Sequence, residues 1–213
     1  MGVSSAIHTP VSAHWREVSP LYLTEQWALI VYWALQSVWV LSELLVFATH
    51  VSGSRERGQD RFSGVALVAG VLLAITLGSK LGRDVPQAAI SPGTVYVFWF
   101  GVALGLAGIA VRWYAIQSLG RFFRMRVMTV PDQVVVERGP YALVRHPSYT
   151  GALMTVLGVM LCSTNWLTLA CFVIALPGFA YRIRVEERAL VAALGDPYRD
   201  YMRRTKRLIP YLL

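Results

Sequence analysis

A chain of 213 residues that is 55% hydrophobic and only 15% charged does not have the composition of a soluble domain, in which about a quarter of the residues are charged. Its long apolar runs instead predict an integral membrane protein. The net charge of +8 comes from basic residues that flank these runs. The membrane surface therefore explains the charge, and no nucleic-acid partner is expected.

The chain begins with a mixed, polar stretch at residues 1–20, which we interpret as a mobile arm before a single membrane domain at 21–213. Three apolar runs follow, each long enough to cross about 30 Å of hydrocarbon as a helix. They lie at residues 26–51, 62–81 and 94–116. Polar loops separate these runs, and the second loop contains two prolines that break the helical pattern.

Two features of these runs concern helix packing. Gly101, Gly105 and Gly108 lie in the third run, and small residues at such spacing let two helix backbones approach closely. We therefore predict a tight helix–helix contact there. Glu43 interrupts the first run, where an acid is costly and tends to face other helices. Either pairing with an arginine or contact with a proton or substrate would explain it, and the sequence leaves its role open.

A fourth apolar run extends over residues 149–181 and is too long for one ordinary span. The polar triplet at 163–165 favours a turn near its middle. We predict a hairpin of two helices over about 147–162 and 166–184, each short for a full crossing. The predicted fold is an all-α integral membrane protein with about five transmembrane helices, including this C-terminal hairpin.

The tail beyond the hairpin is strongly charged. Its stretch VEERALVAAL has helical spacing, and Gly195 is expected to end that helix. A short second helix is predicted in PYRDYMRRT, shortly after the stop.

The distribution of lysine and arginine predicts the orientation in the membrane. Loop 52–61, segment 112–146 and tail 182–213 hold three, six and eight of the 20 basic residues, whereas loop 80–93 and the N-terminal arm hold two and one. With five crossings these groups alternate between the two sides. We therefore expect the C-terminus and segment 112–146 to share the cytosolic face of a multi-pass protein.

The side chains that could carry chemistry gather on that face. Metalloprotease, P-loop and nucleophile-elbow motifs are missing from the sequence, and the four histidines are too scattered to predict a metal site. Carboxylates bind an ammonium or sulfonium and guanidiniums bind a carboxylate, so the charged and aromatic side chains on this face suit a zwitterionic ligand. Each residue alone fits an interfacial anchor or a solvated helix face equally well. The set comprises Arg145, His146, Tyr149, Arg182, Arg184, Glu186 and Glu187.

Four blocks in order, GPYALVRHPSYTG, RIRVEERAL, GDPYRDY and TKRLIP, resemble the isoprenylcysteine carboxyl methyltransferase family. The upstream stretch RWYAIQSLGRFF resembles that family's lead-in to its cofactor region. The resemblance covers about residues 105–210, within a catalytic half at about 105–213. It implies a membrane-embedded methyltransferase that uses S-adenosylmethionine and lacks the soluble Rossmann domain. It also implies a cytosolic cofactor pocket closed by the C-terminal segment.

The resemblance further implies roles for single residues. Arg182 or Arg184 would face the reacting end of the substrate, and Arg184 is favoured. Glu187, together with Glu186, would hold the cofactor's amino group. Many family members carry a histidine where this chain has Gln133, and glutamine keeps hydrogen-bonding capacity without the charge. The other pocket-lining residues that the resemblance implies, besides Gln133, are Val135, Tyr141, Arg145, His146, Pro147 and Tyr149.

The methyl acceptor is less defined than the cofactor. The resemblance implies a lipophilic acceptor, and carboxyl methylation of an isoprenylcysteine-like substrate is the family's namesake reaction. A carboxylate needs no base, which favours it, but N-methylation of a phospholipid amine or S-methylation of a small thiol stays open. Because few spans precede the catalytic half, a second copy of the chain could complete a pocket for a prenyl group.

Another class of enzyme also fits part of the sequence. Sterol-type membrane reductases use NADPH and share an HP-x-Y-like stretch near the C-terminus. In that case Arg121, Arg124 and Arg126 would clamp the cofactor's phosphates. The adjacent Glu186 and Glu187 argue against this reading, because acids repel a pyrophosphate.

Overall fold

The structure is a computed structural model that describes residues 19–50, 62–123 and 134–210. Within these ranges the chain forms eight α-helices, three short 3-10 helices and no named strand. The α-helices are α1 (Leu21–Thr24), α2 (Gln26–His50), α3 (Phe62–Asp84), α4 (Thr94–Leu119), α5 (Pro147–Cys162), α6 (Trp166–Ala170), α7 (Phe172–Leu194) and α8 (Asp196–Arg204).

Among the described residues, four stretches are long and apolar enough to cross a membrane: Gln26–Thr49, Phe62–Asp84, Thr94–Leu119 and Trp166–Leu194. The fifth apolar helix, α5, has only 16 residues, about 24 Å at 1.5 Å per residue. The all-helical membrane fold is thus confirmed, with four long helices and one shorter one. The last span ends ten residues beyond the predicted 184, because VEERALVAAL continues the helix without a break.

Helices α4 and α5 pack with their backbones in contact. A Cβ atom added to Gly158 would lie 2.4 Å from the backbone nitrogen of Gly105, and one added to Gly108 would lie 2.6 Å from the carbonyl oxygen of Gly151. No side chain fits between helices at such distances. The close contact predicted from Gly101, Gly105 and Gly108 is therefore confirmed, and α5 is its partner.

Helix α7 packs along α3 in a similar way. A Cβ atom on Gly178 would lie 2.9 Å from the Cα atom of Leu67, and Gly70 approaches the backbone of Ala175. The two arms of the predicted hairpin thus rest mainly on different partners, α5 on α4 and α7 on α3. They meet through a smaller apolar cluster that includes Val156 and Phe179.

The turn predicted at 163–165 is present and fastens one end of the bundle. Asn165 caps α6, since its Oδ1 accepts hydrogen bonds from the backbone N–H groups of Leu167 (2.9 Å) and Thr168 (3.2 Å). Its Nδ2 donates to the carbonyl of Val85 at 3.0 Å. This turn therefore joins the end of α3 to the start of α6, at the end of the bundle opposite the polar residues described next.

The C-terminal segment folds back over the start of α5. Helix α7 ends at Gly195, which has a φ of 63°, and α8 follows as predicted. After α8, the backbone N–H of Arg145 donates to Lys206 O (2.8 Å) and that of His146 donates to Arg207 O (2.9 Å). The Thr150 hydroxyl donates to Leu208 O at 2.8 Å. The two charged segments identified in the sequence are thus brought together.

Candidate functional site

Polar side chains from five helices and the C-terminal segment meet at one end of the bundle. This site end contains the C-terminal parts of α2, α4 and α7 and the N-terminal parts of α3 and α5, because successive helices run antiparallel. Its polar groups form three connected sets, centred on Glu187, Arg182 and Arg112.

Glu187 is buried among cationic side chains. Its carboxylate accepts hydrogen bonds from Arg145 Nε (3.0 Å) and from Arg207 Nε and Nη2 (3.0 and 2.8 Å). Arg145 also donates to the carbonyls of Met202 (3.0 Å) and Thr205. A buried carboxylate needs such partners, since an unpaired one is strongly destabilising. Glu187 therefore ties the start of α5 to the C-terminal segment.

His146 lies beside this cluster and is almost fully buried. Its Nε2 is 3.4 Å from Glu187 Oε1, close enough for an ion pair. Among the described residues, Nε2 nevertheless has no partner that meets hydrogen-bond geometry. A buried polar atom of this kind normally has a partner, so it is a candidate contact for a bound polar group.

The second set centres on Arg182, whose side chain is buried between three helices. Its Nε donates to the Tyr149 hydroxyl (3.1 Å) and its Nη1 donates to the Ser63 hydroxyl (3.0 Å). Tyr149 in turn donates to Glu186 Oε2 at 2.6 Å. One chain of hydrogen bonds thus runs from α3 through α7 to α5 and back to α7.

The third set centres on Arg112, which pairs with Glu43 of α2. Arg112 Nη2 donates to Glu43 Oε2 at 2.7 Å, and Arg112 Nε lies 2.5 Å from Glu43 Oε1. Arg112 Nη1 also donates to the Ser148 hydroxyl at 2.9 Å. The acid at membrane depth is therefore paired with an arginine, and the pair anchors the first turn of α5.

Three tyrosines outside the membrane spans adjoin these sets and are held in their neutral form. Burial raises the pKa of Tyr201 to about 12 and raises the pKa of Tyr141. Burial and the nearby Glu187 and Glu186 carboxylates raise the pKa of Tyr198. Tyr201 uses its hydroxyl to donate to the carbonyl of Tyr141 at 2.6 Å. None of the three is a phenolate base at neutral pH.

Most residues that the sequence singled out lie together at the site end. Those that do are Tyr141, Arg145, His146, Pro147, Tyr149, Arg182, Glu186 and Glu187. Val135 is half-buried, and Gln133 lies outside the described residues. Arg184, which the sequence favoured over Arg182, is exposed on another face of α7. Of the three arginines proposed as a phosphate clamp, none has a described side chain.

Four residues of the site were not predicted as such. Glu43 was noticed without a partner, while Arg112, Ser63 and Arg207 were not assigned to the site. Opposite charges near the same ends of two apolar runs could have suggested the Glu43–Arg112 pair. Ser63 carries no such signal, since a serine at the start of a helix is common.

Comparisons with known proteins concern the sequence and the fold of the chain. The isoprenylcysteine carboxyl methyltransferase family matches residues 101–192. Protein-S-isoprenylcysteine O-methyltransferase of Schizosaccharomyces pombe is 31% identical over 157 residues, which cover 70% of this chain and 66% of that protein. Protein-S-isoprenylcysteine O-methyltransferase A of Arabidopsis thaliana is 30% identical over 145 residues, covering 65% of this chain and 74% of that protein.

A solved structure has the same fold. It is the eukaryotic intramembrane Ras methyltransferase, isoprenylcysteine carboxyl methyltransferase, with a TM-score of 0.62 and 21% sequence identity. The superposition covers 92% of this chain and 70% of that one. The chain spans just under two thirds of the length of the fission yeast relative. The matched segment and the identity to the relatives show, together with the shared fold, that the chain belongs to the isoprenylcysteine carboxyl methyltransferase family.

Proposed function

We propose that the protein transfers a methyl group from S-adenosylmethionine to the carboxylate of an isoprenylcysteine-like acceptor in the membrane. The observation that carries the proposal is the hydrogen-bonded chain of Ser63, Arg182, Tyr149 and Glu186 beside the Glu187 cluster, in which Ser63 and Arg182 are buried and Tyr149 and Glu186 half-buried. It offers a fixed guanidinium for an acceptor carboxylate and a carboxylate for a cation, within one water-poor site. The names of the relatives support the same reaction class.

The residues present suit the proposed cofactor. Glu186 accepts one hydrogen bond, from Tyr149, and retains capacity for the ammonium or sulfonium of a bound zwitterion. Glu187 is already engaged by two arginines, so we assign it to holding Arg145 and Arg207, which would face the cofactor's carboxylate. His146 Nε2 supplies a further polar contact. When bound, S-adenosylmethionine would supply a methyl carbon already activated by its sulfonium.

The side chains near Arg182 favour an acceptor that is already anionic. A carboxylate needs no proton removed before it attacks, whereas an amine or thiol does. A phenol is already neutral at physiological pH, and burial raises the pKa of the neighbouring tyrosines outside the spans still further. The task of the protein is then to orient the acceptor through Arg182 and to exclude water.

We further propose that the site end faces the cytosol, because the basic residues concentrate there. A lipophilic acceptor would reach Arg182 from the bilayer, and the cofactor would come from the aqueous side. Residues 21–213 would act as one domain. The catalytic half at about 105–213 would not form the complete site by itself, because Glu43 and Ser63 lie outside it.

The test is methyl transfer by the full-length protein in lipid nanodiscs, with tritium-labelled S-adenosylmethionine. Parallel samples contain N-acetyl-S-farnesylcysteine, phosphatidylethanolamine or a small lipophilic thiol. We expect base-labile label in the farnesylcysteine sample alone. Label that is stable to base in the amine or thiol sample would instead support another acceptor. Binding of NADPH without binding of S-adenosylmethionine would contradict the proposal and support the reductase alternative.

A further inference from the structure

The outward face of α7 changes from apolar to basic along its length. Val173, Leu176 and Tyr181 are exposed to 63%, 37% and 44%, which in a membrane span is a lipid-facing stripe. The same face continues through Arg184 and Arg188, both exposed. The buried side of α7, in contrast, carries Arg182 and Glu187 into the site. Arg184 and Arg188 thus belong to a surface distinct from that site.

The position of these arginines along the helix matches the edge of the bilayer. Trp166 is exposed and begins the span Trp166–Leu194. Arg184 lies 18 residues further, about 27 Å at 1.5 Å per residue, and the hydrocarbon layer is about 30 Å thick. Trp166 at one end of the span and the arginines at the other therefore lie where interfacial aromatic and basic residues typically meet the lipid headgroups.

The two arginines also lack partners among the residues that the structure describes. Arg199, Arg203 and Arg204 of α8 pair with Asp196, Asp200 and Glu137 respectively. In the part of the chain that the structure describes, Arg184 and Arg188 form no ion pair or side-chain hydrogen bond. They stand one helical turn apart, so a single phosphate group can contact both guanidiniums.

We propose that Arg184 and Arg188 form a binding site for the phosphate headgroup of an anionic lipid. Because each basic residue near the surface attracts an anionic lipid, the two arginines together should select such a lipid over a zwitterionic one by at least about tenfold. The site would fix the depth and rotation of α7, whose opposite face carries the candidate catalytic residues.

The test is lipid binding by the full-length protein, purified in detergent and titrated with phosphatidylglycerol or phosphatidylcholine while bound lipid is counted by native mass spectrometry. Wild-type protein should bind the first phosphatidylglycerol at least about tenfold more tightly than phosphatidylcholine. The double variant Arg184→Gln with Arg188→Gln should lose this preference, and the lysine variants at both positions should keep most of it. Excess inorganic phosphate should not displace the lipid, because the acyl chains contribute to binding.

The matched control is the double variant Arg199→Gln with Arg203→Gln, which removes the same charge at the same spacing from α8. It should bind phosphatidylglycerol like the wild type. The proposal is overturned if the wild type shows no preference, if Arg184→Gln with Arg188→Gln retains it, or if the control loses it equally. Because the readout is lipid binding and not methyl transfer, failure here leaves the proposed function untouched.

Discussion

Arg182 is held in one orientation by neighbours from two other helices. Tyr149 and Ser63 each accept a hydrogen bond from its guanidinium, so the cation is placed before any acceptor arrives. Such placement reduces the cost of orienting a substrate. Ser63 lies outside the segment matched by the family, so α3 contributes to the site in a way that the motifs do not reveal.

The first prediction concerns Ser63. Replacing it with alanine removes one charge-assisted hydrogen bond, which is worth about 1.5 kcal/mol or more. We expect kcat to fall about tenfold while the KM for S-adenosylmethionine stays unchanged, because the lost hydrogen bond orients Arg182 and not a residue assigned to the cofactor. Steady-state kinetics of methyl transfer provide the measurement.

Two controls accompany the Ser63 variant. Ser63→Thr keeps the hydroxyl and should restore most of the kcat. Ser42→Ala removes a hydroxyl whose hydrogen bond within the described residues goes to the carbonyl of Trp39 in its own helix, and should leave kcat unchanged. A Ser63→Ala enzyme with wild-type kcat would show that Ser63 does not position Arg182.

The second prediction concerns the stability that Glu187 provides. Glu187→Gln leaves the buried Arg145 without its carboxylate and weakens the contact to Arg207. Removing one partner of a buried ion pair costs about 3–5 kcal/mol, so a clear drop in the thermal midpoint in detergent is expected. Glu137→Gln breaks the exposed pair with Arg204 and should cost less than about 1 kcal/mol. Equal midpoints for the two variants would contradict the structural role of Glu187.

At the scale of helices, hydropathy predicted where the spans lie and glycine spacing predicted that α4 packs closely. The sequence did not specify which helix would be the partner, because several apolar helices could have met the glycine face. The extent of α7 was underestimated for a related reason. Charged residues that follow an apolar run look like a loop, although here they continue the helix into the site.

The choice between Arg182 and Arg184 depends on which face of α7 each residue occupies, and a linear motif does not state this. Successive helical residues are about 100° apart, so two positions separated by one residue face nearly opposite directions. Only one of the two arginines can therefore face the site. Arg182 follows Ala175 and Gly178 at spacings of seven and four, and these small residues mark the face against α3. That spacing was available in the sequence, but its meaning required knowing that α3 is the partner.

The third prediction tests the packing of α4 against α5. A methyl group on Gly158 would overlap the backbone of Gly105, so Gly158→Ala should force the helices apart and destabilise the protein by about 1–3 kcal/mol or more. Ala107→Val adds volume on the exposed face of α4 and should have little effect. The thermal midpoint in detergent distinguishes them, and an unchanged midpoint for Gly158→Ala would show that the contact is looser than described.

At the scale of the whole molecule, the site is assembled from both halves of the chain. Glu43 and Ser63 come from the first two spans, while the motif residues come from α5, α7 and the C-terminal segment. The motifs were sufficient to identify the family, because they are contiguous in sequence. The contributions of the first two spans could not be predicted, because a single polar residue in an apolar helix does not reveal which distant residue it meets.

The most direct test of the account compares methyl transfer to N-acetyl-S-farnesylcysteine by Arg182→Gln and Arg184→Gln in lipid nanodiscs. If Arg182 orients the acceptor carboxylate, the first variant should lose at least about 100-fold in kcat/KM while S-adenosylmethionine binding, measured by calorimetry, is retained. The loss for Arg184→Gln should be far smaller, because its side chain lies on the exposed face of α7. A greater loss for Arg184→Gln than for Arg182→Gln would contradict the proposed site.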